Sequence, residues 1–141
     1  RTIKAPKLLL TDTGMICYLL DLNSQKLRSA LNYGAIVENF AYMELKKLCS
    51  WSEVRPSVYH FRTVAGAEVD FVLERAGGDV IGVEVKSAAS VTGHDFKGLR
   101  VLRDAAPGHF KKGIVLYNGS QVVAFGAVLF AVPMQCLWRA A

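Results

Sequence analysis

Two short stretches of this sequence carry charges in a pattern suited to binding a metal ion. The first, residues 80–87, reads VIGVEVKS. Side chains alternate along an extended chain, so Ile81, Val83 and Val85 share one face while Gly82, Glu84 and Lys86 share the other. The second, residues 67–74, reads AEVDFVLE. There Val69, Phe71 and Leu73 form the apolar set, with Glu68 and Asp70 opposite. Charges on a central strand are costly to bury unless they pair with each other or with a metal. Carboxylate oxygens of Asp70 and Glu84, with the backbone carbonyl of Val85, suit Mg²⁺ or Mn²⁺ with several waters retained. Such an ion lowers the pKa of a bound water and neutralises charge developing on a phosphate. Lys86 is then the group that orients the water or stabilises the phosphorane-like state. Glu38 completes the set through a water. Arg62, Thr63 and Ser87 are candidate phosphate contacts, and Arg62 can equally bridge to Glu68 or Glu53.

These charges meet only if the hairpin between the two stretches has the right parity. A two-residue loop at Gly77-Gly78 sets Asp70 against Val85, on the wrong face. A three-residue loop, Ala76-Gly77-Gly78, sets Asp70 against Glu84 and Glu68 against Lys86. Three-residue loops with glycine in the left-handed region are common and produce a bulge. The sequence therefore predicts an odd-length loop or a bulge.

Around the hairpin, hydrophobic periodicity predicts the elements that hold it. Residues 7–10 suit a short strand. Asp12 or Thr13 can cap a helix through Leu20, and Ser24 a second through Leu31, ended at Tyr33-Gly34. The Asp12-Thr13-Gly14 tripeptide of aspartic proteases is thus read as a helix cap. Residues 35–48 form the clearest helix, with Val37, Phe40, Ala41, Leu45 and Leu48 on one apolar face and Glu38 close to it. Residues 58–62 read as a strand, 95–105 as an amphipathic helix ended by Pro107-Gly108, and 113–117, 121–125 and 127–132 as further strands. Pro133 starts a last turn that docks Leu137 and Trp138. The class is α/β, a mixed central sheet flanked by helices, with a parallel crossover from residue 80 to residue 117.

Composition sets the frame. The chain has 141 residues, is 52% hydrophobic and 21% charged, and carries a formal net charge of +5. That is a globular composition with room for one core. The basic excess favours polyanionic partners, although no block of like charges concentrates it. Cys17, Cys49 and Cys136 are far apart and read as reduced thiols, which suggests a cytoplasmic protein. No zinc spacing occurs among the histidines. No apolar run approaches the ~20 residues of a membrane span. Residues 1–34 read as a lead-in strand and short helices, joining an upstream module, and residues 35–141 as the domain that bears the site. The start at Arg1 suggests a piece of a longer polypeptide.

Asp70, then Glu84-Val85-Lys86 fourteen residues later, preceded by a helix bearing Glu38, resembles the PD-(D/E)xK restriction-endonuclease-like superfamily. Val69 stands where the family name has proline. The resemblance implies metal binding by Asp70 and Glu84, a catalytic Lys86 and an accessory Glu38. A longer resemblance rests on KLLLTDTG at 7–14, VENFAYMEL at 37–45, FRT at 61–63, EVDFVL at 68–73, VEVKS at 83–87, Val132-Pro133 and Leu137-Trp138. These segments resemble the C-terminal domain of unknown function of prokaryotic AAA-type ATPases. That resemblance implies an upstream P-loop ATPase, and possible oligomers formed through it. No GxxxxGK[ST] occurs here, so the chain is not expected to hydrolyse ATP itself. Two functional readings follow: a Mg²⁺-dependent endonuclease acting on DNA, or a catalytically silent nuclease-fold module that binds DNA or protein and regulates the ATPase.

Overall fold

The computed structural model describes residues 7–139. Residues 1–6, the first part of the lead-in, lie outside the described residues. Residues 7–10 belong to no strand or helix, which corrects the expectation there. Their backbone is held by a side chain instead: the Leu10 N–H donates to Asn39 Oδ1 at 2.7 Å, and Asn39 Nδ2 donates to the Leu10 carbonyl at 3.0 Å. The first helix, α1 (Thr13–Leu19), is capped by Asp12, whose carboxylate accepts from the Met15 N–H. The helix expected after Ser24 shrinks to one 3₁₀ turn, Leu27–Ser29. Asn23, not Ser24, receives the free N–H groups of Gln25 and Lys26 there.

The long helix α2 runs over Tyr33–Trp51, so Tyr33 begins it as well as ending what precedes. It buries Ile36, Val37, Asn39, Ala41, Leu45 and Cys49. Leu48, assigned to that face from spacing, is exposed. Three strands follow: β1 (Ser57–Arg62), β2 (Glu68–Glu74) and β3 (Val80–Lys86). A 3₁₀ turn at Gly93–Phe96 leads into α3 (Lys97–Ala105). Then come β4 (Phe110–Tyr117), a two-residue β5 (Val123–Ala124), β6 (Leu129–Pro133) and a closing 3₁₀ turn, Met134–Leu137.

The six strands form one mixed sheet in the order β1-β2-β3-β4-β6-β5. β1, β2 and β3 pair antiparallel, β3-β4 and β4-β6 pair parallel, and β5 runs antiparallel to β6. The parallel step from β3 to β4 passes through α3, as the sequence order implied. Two apolar layers sandwich the sheet. Val37, Ala41 and Leu45 of α2 pack with Phe71, Val83, Leu116 and Met134. Leu99, Leu102 and Phe96 pack with Val69, Val72, Val80 and Val115. Trp138 docks edge-on to Phe40, with ring centroids 5.6 Å apart.

The β2-β3 hairpin has the odd loop that the charges require. The Arg75 N–H donates to the Asp79 carbonyl, leaving Ala76, Gly77 and Gly78 as the loop. Gly77 and Gly78 both adopt positive φ, 104° and 84°. The paired register runs from Glu74↔Val80 to Phe71↔Val83, which leaves Asp70 next to the ladder's end, beside Glu84 and Val85. A second irregularity was not foreseen. Tyr59 pairs with Val72 but Phe61 with Val69, so Asp70 and Phe71 together face His60. This bulge breaks the alternation assumed for Val69, Phe71 and Leu73: Val69 packs on the α3 side, Phe71 and Leu73 on the α2 side.

Candidate functional site

The bulge sits at the residue with the most chemistry. A bulge twists its strand and leaves a backbone group outside the ladder. At Asp70 side chains take over where the β2-β3 ladder ends. Asp70 Oδ2 accepts from the Val85 N–H at 2.9 Å, and the Asp70 N–H donates to Glu84 Oε2 at 3.4 Å. Asp70 is buried, only 8% exposed. Its other oxygen accepts from Lys7 Nζ at 2.8 Å.

Lys7 is the hub of the cluster. Its ammonium pairs with Glu38 of α2 and with Asp70, and lies 3.7 Å from Glu68 Oε1. It also sits 5.9 Å above the Phe71 ring. Burial works against this ammonium, yet hydrogen bonds and Coulomb attraction from Asp70 and Glu38 together outweigh it and raise its pKa to about 12. Glu38 nonetheless titrates above the usual carboxylate range. Burial is the largest cause, Asp70 and Glu68 add to it, and Lys7 offsets only part. One ammonium is shared among three acids, so no carboxylate receives a full counter-charge. Glu38 Oε1 is buried without an aligned hydrogen bond.

Glu84 adjoins this set from β3. Burial first, then the Asp70 carboxylate, push its pKa to about 8. The Asp70 N–H and Lys7 pull the other way and do not compensate. Glu68, on the outer side, also lies 3.3 Å from His60 Nε2 and 3.6 Å from Arg62 Nε. His60 ties the bulge together, since its Nδ1 lies 3.2 Å from the Asp70 carbonyl.

Glu68, Glu84, Val85 and Lys86 open onto a cleft of about 670 Å³, whose other wall is the 3₁₀ turn with His94 and Asp95 and the start of α3 with Lys97. Thr63 lies on the rim, its hydroxyl accepting from the Ala67 N–H at 3.0 Å. Lys86 does not pair with Glu68 or Glu84 but with Asp95. Asp95 is itself fixed by a capping box with Thr92, its Oδ2 accepting from the Thr92 N–H at 2.7 Å and from the hydroxyl at 3.0 Å. Burial pushes the Asp95 carboxyl up, but the bonds from Lys86 and Thr92 together hold it below its ordinary value. Ser87 is not among the residues that line this cleft, and its backbone carbonyl accepts from Asn118 Nδ2 at 3.0 Å.

Residues 33–137 match the family described as Domain of unknown function (DUF4143). The chain belongs to that family. Glu38, Asp70, Glu84, Lys86 and Asp95 all fall inside the matched part of the DUF4143 domain, whereas Lys7 precedes it. No curated protein matches the chain by sequence. Among solved structures it is similar to a chain of the refined half-complex from the tetradecameric assembly of Thermococcus gammatolerans McrB AAA+ hexamers with bound McrC, with a TM-score of 0.50 and 12% identity. The likeness covers 71% of this chain and 27% of that one, so this chain spans about a quarter of its length. At that identity the likeness concerns the fold alone.

The donor set suits a hard divalent ion, because it is built of carboxylates and carries more negative charge than its resident cation neutralises. The Lys7 ammonium is the stand-in, contacting Glu38 and Asp70 together. Among the described residues no group of three or more His, Cys, Asp or Glu side chains is arranged to hold a metal. Sequence reasoning missed Lys7, Asp95, His60 and Asn39 as parts of this site. Thr92 and Asp95 stand at capping-box spacing, which was a usable signal for Asp95. Nothing local to Lys7 marks it; only the fold brings it 63 positions along the chain to Asp70.

Proposed function

We propose that this DUF4143 domain is a divalent-metal-dependent DNA phosphodiesterase module of the restriction-endonuclease-like type, working with an AAA-type ATPase. The observation that carries the reading is the junction of Asp70 and Glu84: two carboxylates on neighbouring strands, one pushed to a pKa of about 8 by burial and by the other. Carboxyls whose titration is displaced by burial and a charged neighbour beside a cleft gather at functional sites. Asp70 and Glu84 would hold a Mg²⁺ or Mn²⁺ ion together with the Val85 carbonyl, and Glu38 would reach it through a water. The chemistry that ion supplies is activation of a water and neutralisation of charge on a phosphate. Lys86, steadied by Asp95, faces the cleft as the group to orient the water. Lys97 and Thr63 line the same cleft, where a phosphate backbone would enter. The ATPase association is supported by the similar fold within an AAA+ assembly.

The test is cleavage of supercoiled plasmid and branched DNA by this chain with Mn²⁺, against Asp70→Asn. Asparagine keeps an oxygen for the Val85 N–H but removes the charge. Metal-dependent cleavage abolished by that substitution supports the proposal; equal cleavage, or none, removes it. A second reading has its own observation. Lys7 and Lys86 each already hold an ion pair in the site, the arrangement of a catalytically silent module that keeps the fold to bind DNA or protein and regulate the ATPase. Salt-dependent DNA binding without cleavage would favour it.

A further inference from the structure

We infer that Lys7 is a built-in competitor for the metal site, an ammonium that occupies the acid cluster and must leave before a divalent cation is bound. The inference rests on the metal-site reading above. Three observations carry it. Lys7 contacts acids from two separate elements, Glu38 on α2 and Asp70 and Glu68 on β2, so its charge lies among the carboxylates that a metal would need. Those acids belong to the part of the chain that matches the family, while Lys7 comes from the segment before it. And Lys7 is a side chain on a tether, not part of the sheet. Its segment pairs with no strand and is held by packing of Leu9 on the α2-side apolar layer and by buried Asn39, which bonds both the N–H and the carbonyl of Leu10 and also donates to Thr13 Oγ1 at 2.9 Å. Asn39 follows Glu38 on α2, so that anchor and one of the acids share a turn of helix.

The Lys7 side chain retains 27% of its exposure, so water and ions reach it. Leaving costs it the contacts with the acids but returns the ammonium to solvent, where it is well hydrated. Lys7 Nζ contacts Asp70 Oδ1 and Glu38 Oε1, oxygens of acids that a metal would draw on, so ammonium and metal compete for them and repel each other. The lead-in segment therefore sets the metal affinity of a site to which it contributes no metal ligand. Whatever moves that segment, by drawing on residues 7–10, would open the site, and whatever holds it would keep the acids closed on lysine.

The test is Mn²⁺ affinity, read by the electron paramagnetic resonance signal of free Mn²⁺, for the full 141-residue chain and for Lys7→Gln and Lys7→Arg. Lys7→Gln should bind Mn²⁺ about tenfold tighter, the scale of removing one unit charge at contact distance from a water-accessible site. Lys7→Arg, which keeps the charge, should stay close to the parent chain. Melting curves with and without Mn²⁺ show whether each variant folds, and added Mn²⁺ should raise the Tm of Lys7→Gln more than that of the parent. Should Lys7→Gln fail to fold, Asn39→Ala loosens the same segment with the ammonium intact and should also tighten Mn²⁺ binding. Equal affinity in all folded variants overturns the role of Lys7 and leaves the metal site standing. No binding by any folded variant overturns both.

Discussion

Glu84 is the residue whose titration reports on the site. Its pKa of about 8 lies above that of an unfolded chain because burial and Asp70 disfavour its charged form. The folded state thus holds a proton that the unfolded state releases near pH 4.5. Stability contributed by the protonated carboxyl is complete below that value and is lost as pH rises through about 8. In chelator, Glu84→Gln should match the parent chain near pH ~5 and exceed it by about 2 kcal/mol near pH ~9, as urea midpoints would read. Parallel curves across that range would contradict the burial argument. Asp95 predicts a different signature. Asp95→Asn should leave the capping bonds of Thr92 largely in place yet free Lys86, lowering metal-dependent cleavage about tenfold or more with Mn²⁺ affinity unchanged. A matching loss of affinity would make Asp95 a member of the metal site rather than the group that positions Lys86. At this scale the sequence was informative where neighbours on a strand decided the outcome. Asp70, Glu84 and Lys86 were singled out as candidates from strand alternation, hairpin parity and a family resemblance, and the fold sets Asp70 beside Glu84 while Lys86 pairs with Asp95. Lys7 was not, because an ion pair spanning 63 positions leaves no local trace.

The elements are fitted closely around these residues, and glycine marks where. A Cβ placed at Gly98 in α3 would lie 1.9 Å from the carbonyl oxygen of Glu68, so the helix crosses directly over the start of β2. Gly98→Ala should therefore cost about 3 kcal/mol and displace the cleft wall, since backbone offers no side chain to move aside. Gly93→Ala, where nothing lies within 4 Å, is the control and should fall within about 0.5 kcal/mol of the parent. Equal effects in denaturant melts would mean α3 does not pack as described. The hairpin was legible from its sequence: charge parity required an odd loop, and Ala76-Gly77-Gly78 supplies the positive φ that such a loop needs. The bulge at Asp70 was not, because it depends on the β1 partner as much as on β2 itself. The helix expected after Ser24 failed for a related reason. Asn23 satisfies the free N–H groups of Gln25 and Lys26, and only a single 3₁₀ turn follows.

For the whole molecule, the order of periodic segments pointed to the class found, a mixed sheet flanked by helices with a parallel crossover from β3 to β4, and the fold adds that α2 and α3 pack on opposite faces. None of the described helices is long and apolar enough to cross a membrane. The net charge of +5 is not gathered on one helix face. Arg100 donates to the Gly93 carbonyl and Arg103 pairs with Asp104, leaving Lys97 as the basic residue of α3 that lines the cleft. DNA binding should accordingly be modest with a shallow salt dependence, and Lys97→Ala should weaken it by about the value of one phosphate contact, reducing the salt slope by about 1. The central claim is that Asp70 and Glu84 share a divalent ion. Crystals soaked in Mn²⁺ test it most directly through anomalous scattering. The account predicts a peak bound by Asp70 and Glu84 with the Lys7 ammonium moved out of the cluster. No peak at that place, with Lys7 still bridging Glu38 and Asp70 under saturating Mn²⁺, would contradict it.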